Sequence, residues 1–185
     1  MVDQKESIPP ILRPDNVVAV SLRAIAERFD LEWASDESDT ELTGISMNTA
    51  DLRRGDLFVA MPGLKTHGAN FIQKAKDAGA VAVVTDSEGA KLAQGMGLPT
   101  LLLEHPRAHL GELAAFVYGN LPGTMPKLFA TTGTNGKTST SYLLEAMLRQ
   151  LGEVTGLTST AERHIAGEVI VSRLTTPEIT EMNAL

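Results

Sequence analysis

Apolar positions along the chain fall into two rhythms. Ser21 followed by Leu22, Ile25, Ala26 and Phe29 has the three-and-four spacing of an amphipathic helix, with the serine placed to cap it. Leu42–Met47 and Asp56–Met61, the latter centred on Leu57, Phe58 and Val59, predict short strands, and Val81–Thr85 and Leu98–Leu103 predict buried ones. Between them Asn70–Ala78 reads as a helix stopped by Gly79, and Pro106–Tyr118 as a helix ending near Gly119-Asn120. The Asp/Glu/Ser run from Ser35 to Glu41 reads as a solvated loop.

Strands that alternate with helices predict an α/β protein. Residues 1–14, punctuated by Pro9, Pro10 and Pro14, are expected to be a flexible leader, and residues 15–121 a small N-terminal mixed α/β domain. Residues 122–126 read as a linker, because two prolines and a glycine interrupt both periodicities. Beyond it, Lys127–Thr131 predicts a short buried strand. A helix is expected over Ser139–Leu151, with Leu143, Leu144, Met147, Leu148 and Leu151 at helical spacing. Glu153–Thr158 reads as a further strand, and Ala166-Gly167 as a turn between Arg163-His164-Ile165 and Val169-Ile170-Val171. So few elements cannot cover both faces of a parallel sheet, so residues 127–185 are expected to be the first part of a truncated second α/β domain.

The junction between that strand and that helix carries the chemistry. Thr132-Gly133-Thr134-Asn135-Gly136-Lys137-Thr138 supplies small residues, a lysine and a hydroxyl in the order of a phosphate-cradling loop. Gly133 and Gly136 let consecutive N–H groups approach phosphate oxygens, and the helix start adds its partial positive charge. Lys137 is then expected at the β- and γ-phosphates of ATP, Thr138 as one ligand of Mg2+, and Ser139 as a further phosphate contact. Thr131 stands where the strict P-loop pattern has glycine. The competing reading is an Asn-Gly turn that merely precedes a helix. At roughly 6% usage per residue, six matched letters arise by chance in a chain of this size on the order of once in 10⁵. The second domain is therefore read as the start of a P-loop α/β central ATP-binding domain.

Composition narrows the classes. The absence of cysteine excludes disulfides, thiol nucleophiles and zinc-thiolate sites, and the four histidines show no metal-ligand spacing. A formal charge of -7 argues against nonspecific nucleic-acid binding. No apolar run reaches the length of a membrane span and the N-terminus lacks the regions of a signal peptide, so a cytoplasmic protein without a membrane or nucleic-acid partner is expected.

The Thr-Gly-Thr-Asn-Gly-Lys-Thr loop resembles that of the Mur ligases, which form the amide bonds of the peptidoglycan stem peptide; folylpolyglutamate synthase and cyanophycin synthetase share it. A second signature on the same chain is similar to the first domain of the Mur ligase that adds the third stem residue: Gly55-Asp56-Leu57-Phe58-Val59-Ala60-Met61-Pro62-Gly63, then His67-Gly68, Phe71-Ile72 and Gly79–Val84. The resemblance spans roughly residues 42–185. It implies a first domain that holds the UDP end of the substrate, with contacts from Met47 and Thr49 and from Leu64, Lys65 and Thr66. Asn48-Thr49-Ala50 stands where the family has Asp-Ser-Arg, so Thr49 keeps a hydroxyl while the acidic and basic neighbours are lost. Thr175 and Thr176, ahead of Pro177, resemble the Thr-Thr pair that holds the muramyl-peptide part. Their plainer readings are a strand end at Thr49, a polar turn at Thr66-His67 and an extended stretch before Pro177.

What the resemblance implies is an ATP-dependent ligase of peptidoglycan precursor synthesis. It would add a diamino acid, diaminopimelate or lysine, to UDP-N-acetylmuramoyl-L-alanyl-D-glutamate through an acyl phosphate. These residues alone are expected to be inactive. The alternatives are another ligase of the same superfamily, an unrelated P-loop ATPase or kinase, and a non-catalytic binding module.

Overall fold

The computed structural model describes residues 12–14, 16–35, 37–170 and 177–185. The expected contacts Thr175 and Thr176, Val171 of the expected hairpin, and Pro9 and Pro10 of the leader lie outside the described residues. The chain divides into two units, one comprising Leu12–Met125 with Ile179–Ala184, the other built on Pro126–Glu178.

In the first unit, β1 (Val20–Ser21) runs into α1 (Leu22–Phe29), where the Ser21 hydroxyl accepts from Ala24 N–H at 3.0 Å and so satisfies one donor of the first turn. Then follow β2 (Glu32–Trp33), β3 (Glu41–Leu42), β4 (Gly44–Ser46) and β5 (Asp56–Ala60). A short 3₁₀ turn (Gly68–Phe71) leads into α2 (Ile72–Asp77), β6 (Ala80–Thr85), α3 (Ser87–Ala93), β7 (Thr100–Leu102) and α4 (Pro106–Val117). The main sheet has the order β2-β7-β6-β5-β4, with β4 to β7 parallel and β2 antiparallel at one edge. β1 and β3 pair separately.

Both faces of this sheet are covered, which is why its central strands are apolar at successive positions. Leu57 and Val59 of β5 pack with Leu22 and Ile25 of α1 and Leu110, Leu113 and Val117 of α4. Phe58 and Ala60 face the other way, toward Ile72 and Ala75 of α2 and Ala93 of α3. Between β5 and β6 the register slips by one residue, since Asp56 pairs with Ala80 but Leu57 with Ala82. The extra residue lets Ala80 and Val83 share one core cluster while Ala82 and Val84 share the other.

The second unit contains α5 (Lys137–Gln150) and the antiparallel strands β8 (Gly156–Thr158), β9 (Arg163–Ile165) and β10 (Glu168–Ile170) in the order β10-β9-β8. Ala166 and Gly167 both take positive φ, as the two central residues of a tight hairpin turn must. The buried strand expected at Lys127–Thr131 is not formed: Leu128 and Phe129 are exposed, and among the described residues no strand lies alongside to take its backbone hydrogen bonds. The last helix, α6 (Ile179–Ala184), belongs with the first unit, where Asn120 Nδ2 donates to Asn183 O at 2.6 Å and Ile179 lies against the face of α4 left open by Gly111.

Candidate functional site

The expected site residues that the structure describes fall into one set in each unit. In the second unit Gly133, Thr134, Asn135, Gly136, Lys137, Thr138 and Ser139 make an exposed loop running into the first turn of α5. Gly133 (φ 146) and Gly136 (φ 79) adopt conformations that side chains disfavour, and the second ends the loop where the helix begins. Thr140 N–H bonds back to Gly136 O at 2.9 Å, so the N–H groups of Lys137, Thr138 and Ser139 precede the first helical hydrogen bond and face outward. The Lys137 ammonium folds over the loop, donating to Gly133 O at 2.6 Å and reaching Thr134 O at 3.5 Å. Outward amides, an exposed cation and a hydroxyl at the next position suit the tail of a nucleoside triphosphate and an accompanying divalent ion.

A polar cluster on the same helix went unread in the sequence. His164 Nδ1 lies 2.7 Å from Glu145 Oε2 of α5, and its Nε2 lies 3.2 Å from Glu162 Oε2, which also accepts from Tyr142 OH at 3.0 Å. The Tyr142 and His164 rings meet edge to face at 5.4 Å. The Glu145 hydrogen bond, opposed by burial and aided by Glu162, raises the His164 pKa above its ordinary value. Hydrogen bonds from His164 and then Tyr142 lower that of Glu162. The histidine thus ties the β-hairpin to the helix that carries the glycine loop.

In the first unit the remaining described candidates follow two neighbouring strands of the sheet. Met47 and Thr49 follow the C-terminal end of β4, and Leu64, Lys65 and Thr66 follow that of its parallel neighbour β5. Crevices outside the carboxyl ends of parallel strands are where open α/β sheets bind ligands. Met47 packs against the core, and Thr49 is half-buried in a turn fixed by Asn48, whose side-chain oxygen accepts from Ala50 N–H at 3.0 Å. Leu64, Lys65 and Thr66 are exposed at the tip of a loop closed by Gly63 N–H donating to Thr66 O at 3.1 Å. Among the described residues no helix is long and apolar enough to cross a membrane, and no cluster of three or more metal-ligating side chains occurs.

Comparison with known proteins finds family domains in both parts of the chain. The Mur ligase family, catalytic domain, matches residues 41–118, and the Mur ligase middle domain matches residues 131–185. The chain belongs to the Mur ligase family. Two relatives of this Mur ligase chain illustrate the match. It is 48% identical over 177 residues to the UDP-N-acetylmuramyl-tripeptide synthetase of Leifsonia xyli subsp. xyli. It is 45% identical over 177 residues to the UDP-N-acetylmuramoyl-L-alanyl-D-glutamate--2,6-diaminopimelate ligase of Streptomyces avermitilis. Each alignment covers 96% of this chain and 34% of the relative, so the chain spans about a third of the length of the curated relatives it matches. A solved UDP-N-acetylmuramoyl-L-alanyl-D-glutamate--2,6-diaminopimelate ligase shares the Mur ligase fold at a TM-score of 0.61 and 22% identity, over 90% of this chain and 32% of that one.

Proposed function

We propose that the whole protein is an ATP-dependent ligase that couples a diamino acid to UDP-N-acetylmuramoyl-L-alanyl-D-glutamate in peptidoglycan precursor synthesis. What supports this reading is a glycine-lysine loop with outward amides at the start of α5, together with candidate substrate contacts, exposed at Leu64, Lys65 and Thr66, beyond the carboxyl ends of β4 and β5. Residues 15–121 are then the UDP-substrate domain, 122–126 a linker and 127–185 part of the ATP-binding domain. The name of the Streptomyces avermitilis relative supports 2,6-diaminopimelate as the diamino acid.

A carboxylate is a poor acceptor for an amine until one oxygen becomes a good leaving group. Attack of a substrate carboxylate oxygen on the γ-phosphorus of ATP releases ADP and leaves an acyl phosphate; attack of the amine on the acyl carbon then releases phosphate and forms the amide. The part of this chain is to bind and to neutralise. Lys137 exchanges its loop carbonyls for β- and γ-phosphate oxygens, the first amides of α5 and Ser139 hold the rest of the tail, and Thr138 supplies one ligand to Mg2+, which offsets phosphate charge when bound. Met47, Thr49, Leu64, Lys65 and Thr66 hold the UDP end. Thr175 and Thr176 donate hydroxyls to the muramyl-peptide.

The test is phosphate release by the full-length protein. Release that requires both UDP-N-acetylmuramoyl-dipeptide and diaminopimelate supports the proposal. Release with ATP alone identifies a P-loop ATPase, activity with lysine reassigns the amino acid, and no release under any combination leaves a binding module.

A further inference from the structure

The loop that displays Leu64, Lys65 and Thr66 is braced from below by one side chain. His67 is 8% exposed and sits at the foot of the loop, where it bridges to Pro62 across the end of β5. Its Nδ1 accepts from Ala69 N–H at 3.0 Å, which places the ring proton on Nε2. Nε2 lies 3.0 Å from Asp86 Oδ1, and the same oxygen accepts from Gly89 N–H at 2.8 Å as the cap of α3. Asp86 follows directly on Thr85, the last residue of β6. A single neutral imidazole therefore spans from the loop after β5 to the helix cap after β6.

The surroundings are built around that ring. A Cβ at Gly89 would fall 2.7 Å from His67 Cε1 and overlap the buried Thr85 hydroxyl, so α3 approaches this closely only because the residue is glycine. A Cβ at Gly68 would lie 2.9 Å from Met61 N, and Gly68 N–H bonds Met61 O at 2.9 Å, so the return strand of the loop is pressed on the end of β5. Among the described residues the tip above this foot holds only local bonds, chiefly Asn70 Nδ2 donating to Thr66 Oγ1 at 3.0 Å. Leu64 stands clear of the protein.

We infer that His67 is a positioning residue: by joining the carboxyl ends of β5 and β6 it holds the Leu64–Thr66 tip in the place where a nucleoside-diphosphate sugar is received. This rests on the reading of that tip as a contact for the UDP end of the substrate. The imidazole touches no substrate and acts through the loop. A loop whose foot can shift presents the same side chains in a spread of positions, and misplacement of about 1 Å is enough to weaken a contact severely.

Two substitutions divide the bridge. His67→Asn keeps an acceptor for Ala69 N–H but cannot reach Asp86. Asp86→Ser keeps a cap for α3 but is too short for His67. In the full-length enzyme each should raise KM for UDP-N-acetylmuramoyl-L-alanyl-D-glutamate about tenfold with kcat and KM for ATP changed less than about twofold, and the double variant should be no worse than either single one. Lys65→Ala and Thr66→Val test the tip itself. If either of these raises that KM while His67→Asn and Asp86→Ser leave it unchanged, the inference is overturned and the tip reading survives. If neither tip substitution changes it, the tip reading fails and takes the inference with it. A lowered thermal midpoint in the bridge variants with unchanged KM assigns His67 a purely structural role and also overturns the inference.

Discussion

Arg13 and Asp56, 43 residues apart, form an ion pair at 2.5 Å in which the two side chains are 5% and 1% exposed. Arg13 also donates to Asp51 O at 2.9 Å, and the second Asp56 oxygen accepts from Arg53 N–H at 2.7 Å. The pair sits at the amino end of β5, and Gly44 on β4 leaves room for it, since a Cβ there would overlap both charged groups. Breaking a buried pair on one side leaves a desolvated charge behind. Arg13→Ala should therefore destabilise the first unit by about 3–5 kcal/mol, while Arg13→Met with Asp56→Leu should cost clearly less. Denaturant unfolding followed by fluorescence of Trp33, the chain's single tryptophan, measures both. Equal loss in the two variants would reject the buried-charge explanation.

His164 should give the second unit a pH-dependent brace. Its folded-state pKa is raised by Glu145 above the unfolded value, so the stabilisation is fully present below that unfolded value, near 6.5, and is lost as pH rises through the folded one. Glu162 works at the other end of the scale. Its folded pKa is lowered by His164 and Tyr142, so its contribution is present above the ordinary carboxylate range and fades on acidification. Glu145→Gln should bring the His164 titration back toward its ordinary position, as read from the imidazole carbon-bound proton resonances. A titration point that stays raised in Glu145→Gln would show that Glu145 is not the cause.

How much of this was legible follows from how local each cause is. Ser21 and the residues after it announce α1 because cap and apolar stripe lie within nine residues. The parallel strands β5 and β6 announce themselves because burial on both faces makes them apolar throughout. α3 was not foreseen, since Gly89 and Ala93 are its buried residues and neither looks apolar enough to set a rhythm. Nor was β2, a two-residue strand whose pairing with Leu101 and Leu102 is settled by a distant segment. Lys127–Thr131 shows the converse failure: its letters suit a strand, but a strand exists only with a neighbour to bond. In the loop before α5, the unusual backbone at Gly133 and Gly136 was readable, because that geometry is set within a few residues. The His67 to Asp86 bridge was not, because it joins two loops 19 residues apart.

Among the described residues the Lys137 ammonium hydrogen-bonds only within its own loop, to Gly133 O and Thr134 O, and the residue is exposed. Lys137→Ala should accordingly leave unfolding within about 0.5 kcal/mol of the parent, as surface substitutions do. Turnover of the full-length enzyme should fall by at least about 10²–10³-fold, the scale of losing one preorganised charge contact to a transition state. Steady-state phosphate release and denaturant melts on the same preparation test both halves. Normal turnover in this variant would remove the loop from the reaction.

The two loop glycines should fail in different degrees, for a reason that lies in the backbone alone. A Cβ at Gly136 meets nothing within 4 Å and one at Gly133 meets only Asn135 O at 3.7 Å, so neither substitution introduces a clash. Gly136, at φ 79 and ψ -4, lies near the left-handed region that asparagine tolerates; Gly133, at φ 146, lies in territory that is essentially glycine's. Gly136→Asn should thus retain most ATP affinity, Gly136→Ala should lose an amount set by about 1–2 kcal/mol of backbone cost, and Gly133→Ala should lose the most. The measurement is the dissociation constant for a non-hydrolysable ATP analogue across the three full-length variants, beside their unfolding free energies. Because the sites are sterically open, a ranking in the opposite order cannot be blamed on packing and would mean that the loop binds nucleotide in a conformation other than this one.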